Sequence, residues 1–266
     1  MRRTYNARMR VATWNVNGLR ARLDFVLHWL RARQPDVVGI QELKLEDEHF
    51  PTAELAAAGY QSVAYCQRGW NGVAILARQP IEVVRKGLPG QDPLGARLLT
   101  ARVGDLEYTS LYIPNGKYVG HEDFPRKLEW LDALAEHLER EHDQGRASVV
   151  CGDFNLCPQA IDSWNEPLLH GAIFHTDEER SRFQRLLDWG LIDVYRRLRP
   201  DSQAFSWWDY RAGNFHRNEG LRIDFLLATP SVAARAVAAD IDREYRKKKD
   251  GLIASDHAPV MVDLEA

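Results

Sequence analysis

Short apolar runs that stop at Asn, Glu or Asp recur along the whole of this chain, and no other feature constrains its fold as tightly. Asn15 and Asn17 follow a run that begins at Val11, and Glu42 closes Val37-Val38-Gly39-Ile40-Gln41. Asp153 and Asn155 follow Val149-Val150-Cys151-Gly152, Asp224 interrupts Leu221-Arg222-Ile223-Asp224-Phe225-Leu226-Leu227, and Asp256 and His257 precede Pro259-Val260-Met261-Val262. Apolar or alternating runs of about 4–8 residues between turn formers are strand signals. They predict strands over 10–15, 36–41, 60–65, 72–77, 98–103, 106–113, 147–151, 223–228 and 258–264, with Gly104-Asp105 at a hairpin bend.

Helical spacing is rarer. Phe124, Leu128, Leu131, Leu134 and Leu138 share one face of a helix over 124–141, with Asp123 as its cap and Pro125 in the first turn. Further helices are predicted around 25–30, ending before Pro35, over 53–58, and over 178–189, ending at Gly190. The polar segment 213–220 reads as a loop. Many strands with few helices favour large sheets covered by helices over a dinucleotide-binding unit. Residues 9–266 are expected to form one domain behind a flexible tail of residues 1–8.

The net charge of −3 neither requires nor excludes a polyanionic partner, because a basic groove can sit on a mildly acidic protein. Three cysteines, Cys66, Cys151 and Cys157, without a CxxC pair argue against a disulfide scaffold and fit a reducing cytoplasm. No apolar stretch has the length of a membrane span or a signal peptide. A single Asp at a strand end is ordinarily a turn cap. Several such ends can instead meet in one cleft, and Asp224, set between Ile223 and Phe225, needs a charged or hydrogen-bonding partner if buried. Carboxylates offer oxygen to a hard divalent cation, whereas HExxH, a tight Cys/His cluster, GxxxxGK[ST] and GxSxG are all missing. Carboxylates, amides and one histidine suit phosphodiester hydrolysis better than acyl transfer.

Taken in order, these segments resemble the motifs of the exonuclease III/abasic-site endonuclease family. They are Trp14-Asn15-Val16-Asn17-Gly18-Leu19-Arg20, Gln41-Glu42-Leu43-Lys44, Tyr112-Ile113-Pro114-Asn115-Gly116 and Gly152-Asp153-Phe154-Asn155. Phe205-Ser206-Trp207-Trp208-Asp209-Tyr210-Arg211 with Leu221-Arg222-Ile223-Asp224, and Ser255-Asp256-His257-Ala258-Pro259, complete the match over nearly the whole chain. Two departures stand out: Asn17 occupies a place where relatives can carry Asp, and the loop after Pro114 is the chain's own.

The resemblance implies a four-layered α/β sandwich, two packed mixed β-sheets flanked by helices. It also implies hydrolysis of DNA 5′ to abasic sites, with 3′→5′ exonuclease and 3′-phosphatase or phosphodiesterase activity, on double-stranded DNA with abasic sites or blocked 3′ ends. Mg²⁺ is the implied cofactor, with Mn²⁺ able to substitute. A monomer is expected, without membrane association, in a bacterial cytoplasm near the nucleoid. Chemistry and resemblance together assign Tyr112, Asp153, Asn155, Asp224 and His257 to catalysis, and Glu42, Asp256, Asn15, Asp153 and Asn155 to the metal. Asn17, Arg20, Lys44, Asn115, Lys117, Trp207, Arg211, Leu221, Arg222 and Ile223 are expected at the DNA. Within that set, Trp207, Leu221 and Ile223 are expected to wall a pocket for an extruded abasic sugar, and Arg222 has a structural ion pair as its alternative.

Overall fold

A computed structural model describes residues 8–265. Its strands form two six-stranded mixed sheets. The first takes β1 (Arg8–Asn15), β2 (Val37–Gln41), β3 (Gln61–Tyr65), β4 (Val73–Ala77), β11 (Ala236–Ile241) and β12 (Val260–Glu265), in the order β11-β12-β1-β2-β4-β3. The second takes β5 (Ile81–Lys86), β6 (Leu98–Val103), β7 (Leu106–Tyr112), β8 (Ser148–Asp153), β9 (Ile192–Asp193) and β10 (Asp224–Ala228), in the order β5-β6-β7-β8-β10-β9. The longest helices are α1 (Leu19–Arg33), α2 (Asp123–Glu141) and α3 (Asp177–Asp188).

Each sheet contains one parallel pair within antiparallel neighbours: β1 with β2, and β7 with β8. A parallel pair needs a crossover, and α1 and α2 supply them. The inner faces bury Val11, Val37, Ile75, Tyr108, Cys151 and Leu226 in one shared core. The first sheet's outer face packs Trp14, Val38 and Leu76 against Phe25, Val26 and Trp29 of α1. The second packs Leu111, Val150 and Phe225 against Leu131 and Leu134 of α2 and Phe183 of α3. Core and covers together make the four-layered sandwich that the resemblance implies.

Two glycines permit close backbone approach, one between the sheets and one within the second sheet. A Cβ on Gly39 would lie 2.9 Å from both Cys151 Sγ and Ser110 Oγ of the facing sheet. On Gly152, at φ +147°, it would stand 1.8 Å from the Leu111 carbonyl oxygen, so β8 could not lie beside β7.

The sequence patterns miss three strands. β5 is mostly exposed, β11 is Ala-rich, and β9 is two residues long. All three lie at sheet edges, where burial imposes no clean alternation. The segment expected as a loop holds a short helix, Asn214–Arg217. Asp123 is inside the first turn of α2, with Glu122 in the capping position, so it is not the cap. Helix α3 begins one residue before its expected start, behind a capping box between Thr176 and Glu179 that Thr176-Asp177-Glu178-Glu179 already spells. Arg8 belongs to β1 and not to the tail, while residues 1–7 of that tail lie outside the described residues.

Candidate active site at the strand ends

The two parallel pairs deliver their C-terminal ends to one edge of the sandwich. Asn15 ends β1, Glu42 follows β2, Tyr112 ends β7 and Asp153 ends β8. Asp224 opens β10 directly opposite Asp153 in the antiparallel register. His257 precedes β12, held by the Ser255 hydroxyl, which accepts the His257 N–H at 3.2 Å and donates to the Asn15 carbonyl at 2.7 Å.

Asn15 ties the sheets together. Its Nδ2 donates to Glu42 Oε1 at 2.8 Å and to Asp153 Oδ2 at 2.9 Å, while its Oδ1 accepts the Asn17 N–H at 2.9 Å. An amide that spends both hydrogens on carboxylates and turns its oxygen to the backbone is a bridge, so Asn15, expected at the metal, positions the two carboxylates. Lys44 Nζ lies 2.6 Å from Glu42 Oε2 and 2.6 Å from Asn17 Oδ1. The expected DNA contact is thus turned inward, onto a carboxylate.

His257 Nδ1 lies 2.8 Å from Asp224 Oδ2, and Nε2 lies 3.8 Å from Asp153 Oδ2. Burial disfavours the imidazolium, but Asp224, Asp153 and Asp256 outweigh it and lift the imidazole to about 10. Burial raises the Asp153 carboxyl; the His257 charge opposes this, while Asp224 and Glu42 reinforce it. Burial also raises the Tyr112 phenol, with Glu42 and Asp153 adding to the effect, so Tyr112 is a neutral O–H donor.

Ligand atoms of Glu42, Asp153 and His257 all lie within 4.8 Å of one another. Two carboxylates pressed together by one amide suit a hard cation, because they supply oxygen and their mutual repulsion is what such an ion relieves. His257, charged and tied to Asp224, is better suited to donate than to ligate.

Two other expected ligands are engaged elsewhere. Asp256 accepts Asn17 Nδ2 at 2.9 Å and Trp207 Nε1 at 3.1 Å. Asn155 donates to the Ile113 carbonyl at 2.9 Å and accepts Asn115 Nδ2 at 3.3 Å. Asp256 lies outside the Glu42–Asp153–His257 cluster.

Of the residues expected at DNA, Arg20, Asn115, Lys117 and Arg211 are exposed, and Trp207 is half-buried. Arg211 pairs with Asp209 at 2.6 Å. Arg222 is 1% exposed and bonds Asp162 at 2.6 Å and Asp193 at 2.8 Å, so it is a structural cation and not a DNA contact. Leu221 and Ile223, expected to wall the pocket for an extruded sugar, are buried with Cys157 and Phe174, and Trp207 packs against the same cluster.

Three contributors escape the sequence patterns. Ser206 donates its hydroxyl to Asp224 Oδ2 at 2.6 Å; it lies inside a quoted motif, but only the fold shows its partner. The Arg97 guanidinium lies 4.9 Å from the Tyr112 ring centroid. Trp70, 72% exposed, stands on a cleft of about 530 Å³ that Arg97, Tyr112, Asn115 and Lys117 also line. A large aromatic in Gly69-Trp70-Asn71-Gly72, on a turn with little to pack against, is the signal that could have found it.

Residues 12–257 match the endonuclease/exonuclease/phosphatase family. The chain is 35% identical to exodeoxyribonuclease III of Haemophilus influenzae over 270 residues, covering 97% of this chain and all (100%) of that one. Among solved structures, the 3′-5′ exonuclease from Neisseria meningitidis superposes with a TM-score of 0.93 at 36% identity, over 97% of this chain and 100% of that one. An AP endonuclease from Archaeoglobus fulgidus gives 0.92 at 32% identity, with the same coverage of 97% and 100%. The chain belongs to the endonuclease/exonuclease/phosphatase family, as a nuclease similar to exodeoxyribonuclease III and the AP endonucleases.

Proposed function

We propose that this nuclease is an Mg²⁺-dependent DNA-repair phosphodiesterase that cuts the backbone 5′ to abasic sites and clears blocked 3′ ends. The single observation that carries the reading is the amide of Asn15 holding Glu42 and Asp153 together beside the His257–Asp224 pair. Relatives support the DNA assignment: one is a 3′-phosphatase from Neisseria solved with a product DNA hairpin, at 36% identity.

Glu42 and Asp153 would hold the cation, which when bound supplies charge neutralisation at a phosphate oxygen and at the leaving oxygen. Asp153 orients the attacking water and accepts its proton. His257 donates from Nε2 to the scissile phosphate, and Asp224 fixes the ring at Nδ1. Tyr112 donates its neutral O–H to a phosphate oxygen, and Asn115 and Lys117 flank the backbone at the cleft. Phosphate contacts position DNA without reading bases, which suits an enzyme that acts at almost any sequence.

The test compares duplexes carrying a tetrahydrofuran abasic analogue, a 3′-phosphate, or an undamaged recessed end, each with Mg²⁺, Mn²⁺ or EDTA. Incision at the analogue and release of the 3′-phosphate, both stopped by chelation, are expected. Hydrolysis of phosphoinositides with every DNA left intact would replace repair with lipid turnover.

A further inference from the structure

Beneath the site lies a cation that the chemistry above does not use. Lys127, in α2, is fully buried, and so is its partner Glu179 in the first turn of α3. The ammonium has three hydrogens and three acceptors: a Glu179 carboxylate oxygen, the Asn155 carbonyl at 2.6 Å and the Asn115 carbonyl at 3.3 Å. Glu179 accepts the Phe174 N–H at 3.2 Å, the Thr176 N–H at 3.1 Å and the Thr176 hydroxyl at 2.9 Å. Nothing in this pair is left over for solvent.

Those partners lie on three separate loops, each leading to the site. Asn115 lines the cleft beside Tyr112. Asn155 takes a left-handed conformation, at φ 51°, and its N–H donates to Asp153 Oδ1 at 2.9 Å. Phe174, left-handed at φ 72°, packs edge-on against Trp207 with ring centroids 6.5 Å apart. The Lys127 ammonium also lies 4.8 Å from the Phe174 ring centroid. Gly116 completes the seat, since a Cβ there would lie 3.0 Å from Lys127 Cδ.

A buried ion pair is weak evidence for stability, because desolvation offsets most of its attraction. What this pair does supply is direction. One fixed charge orients two backbone carbonyls, and its counter-charge orients a third loop. A left-handed conformation at a bulky residue such as Phe174 persists only where surroundings over-determine it.

We propose that Lys127 and Glu179 are positioning residues: together they hold the Asn155 and Asn115 loops, and the Phe174 loop against Trp207, in the geometry that DNA phosphodiester cleavage requires. This rests on the function proposed above. The pair touches no reacting atom and acts through Asn155, and through it Asp153.

The experiment separates positioning from stability. Lys127→Met leaves an uncompensated buried carboxylate and lowers Tm. Lys127→Met combined with Glu179→Gln removes both charges and recovers part of that Tm. Val26→Ala, on the buried face of α1, supplies a Tm loss remote from the site. Release of phosphate from a 3′-phosphate duplex is measured at saturating Mg²⁺ for each, well below its Tm.

The double variant is expected to keep kcat about tenfold or more below wild type with KM within about threefold, because small misplacements of reacting groups can cost up to about a hundredfold. Val26→Ala should keep wild-type kcat. If kcat follows Tm across all variants, or returns to wild type in the double variant, the pair is structural only and the proposal fails. If Lys127→Met does not accumulate as folded protein, Glu179→Gln alone is measured against the same criterion. No turnover of any DNA by the wild-type enzyme would overturn the proposed function, a result distinct from normal turnover by the double variant.

Discussion

Asp224 Oδ2 lies 2.8 Å from His257 Nδ1, and both side chains are sealed from solvent. The same oxygen receives the Ser206 hydroxyl, while Asp224 Oδ1 is buried without a hydrogen-bond partner among the described residues. A strand-end carboxylate thus serves one imidazole and one hydroxyl through a single oxygen.

That pairing has a pH signature. With Asp224 present, His257 remains an imidazolium up to about 10. In Asp224→Asn the strongest raising influence is gone, so burial draws the imidazole down against the remaining pull of Asp153 and Asp256. The alkaline fall of the variant's turnover should move to lower pH, read from kcat against pH. His257→Gln should cost about 10²–10³-fold in kcat, as expected for loss of one preorganised donor. Overlapping alkaline limbs in Asp224→Asn and wild type would exclude the charged-donor role.

Cation binding should release protons. The Asp153 carboxyl is raised in the metal-free site, so a share of it is protonated as pH falls towards the acid side of neutrality. A ligand must shed that proton, so Mg²⁺ affinity rises with pH. Calorimetric titration in two buffers of different ionisation enthalpy measures the release, which Asp153→Asn should abolish. Identical heats in both buffers would remove Asp153 from the site.

Glu42 should reveal itself through metal dependence. Glu42→Gln keeps an oxygen for Asn15 but loses the charge. The Mg²⁺ concentration for half-maximal turnover should rise about 10–100-fold, with activity largely recovered at high Mg²⁺. Loss of activity that no Mg²⁺ concentration restores would assign Glu42 another task.

Arg222 and Lys117 should separate stability from DNA binding. Arg222→Met takes the ion pair from the buried carboxylate of Asp193 and one of two from Asp162, which keeps Arg196 at 2.5 Å, and should cost about 3 kcal/mol of stability. The salt dependence of DNA binding should stay as it was. Lys117→Ala should barely move Tm, yet lower the slope of log affinity against log salt by about one. The opposite pattern would return Arg222 to the interface.

Much of the frame was legible beforehand because it is local. The alternation of β1, the apolar run of β8 and the one-faced spacing of α2 depend on residues a few positions apart, so periodicity locates them. The edge strands β5 and β11 carry little of that pattern, since half-solvated edges tolerate charge and alanine. Similarly, the chemistry-bearing ends at Asn15, Glu42, Asp153, Asp224 and His257 stand out as polar residues halting apolar runs.

Residue types and their order along the chain determined by themselves the strands of the sheet interiors and which polar groups stand at their ends. Only tertiary structure decided what each group faces. It turned Asn15 into a bridge between two sheets, committed Lys44 to Glu42, buried Arg222 on two aspartates, and packed Leu221 and Ile223 into the core. The reason is physical: strand propensity is settled by near neighbours, whereas burial and hydrogen-bond direction are settled by partners such as Asn15 and Asp153, which lie 138 residues apart.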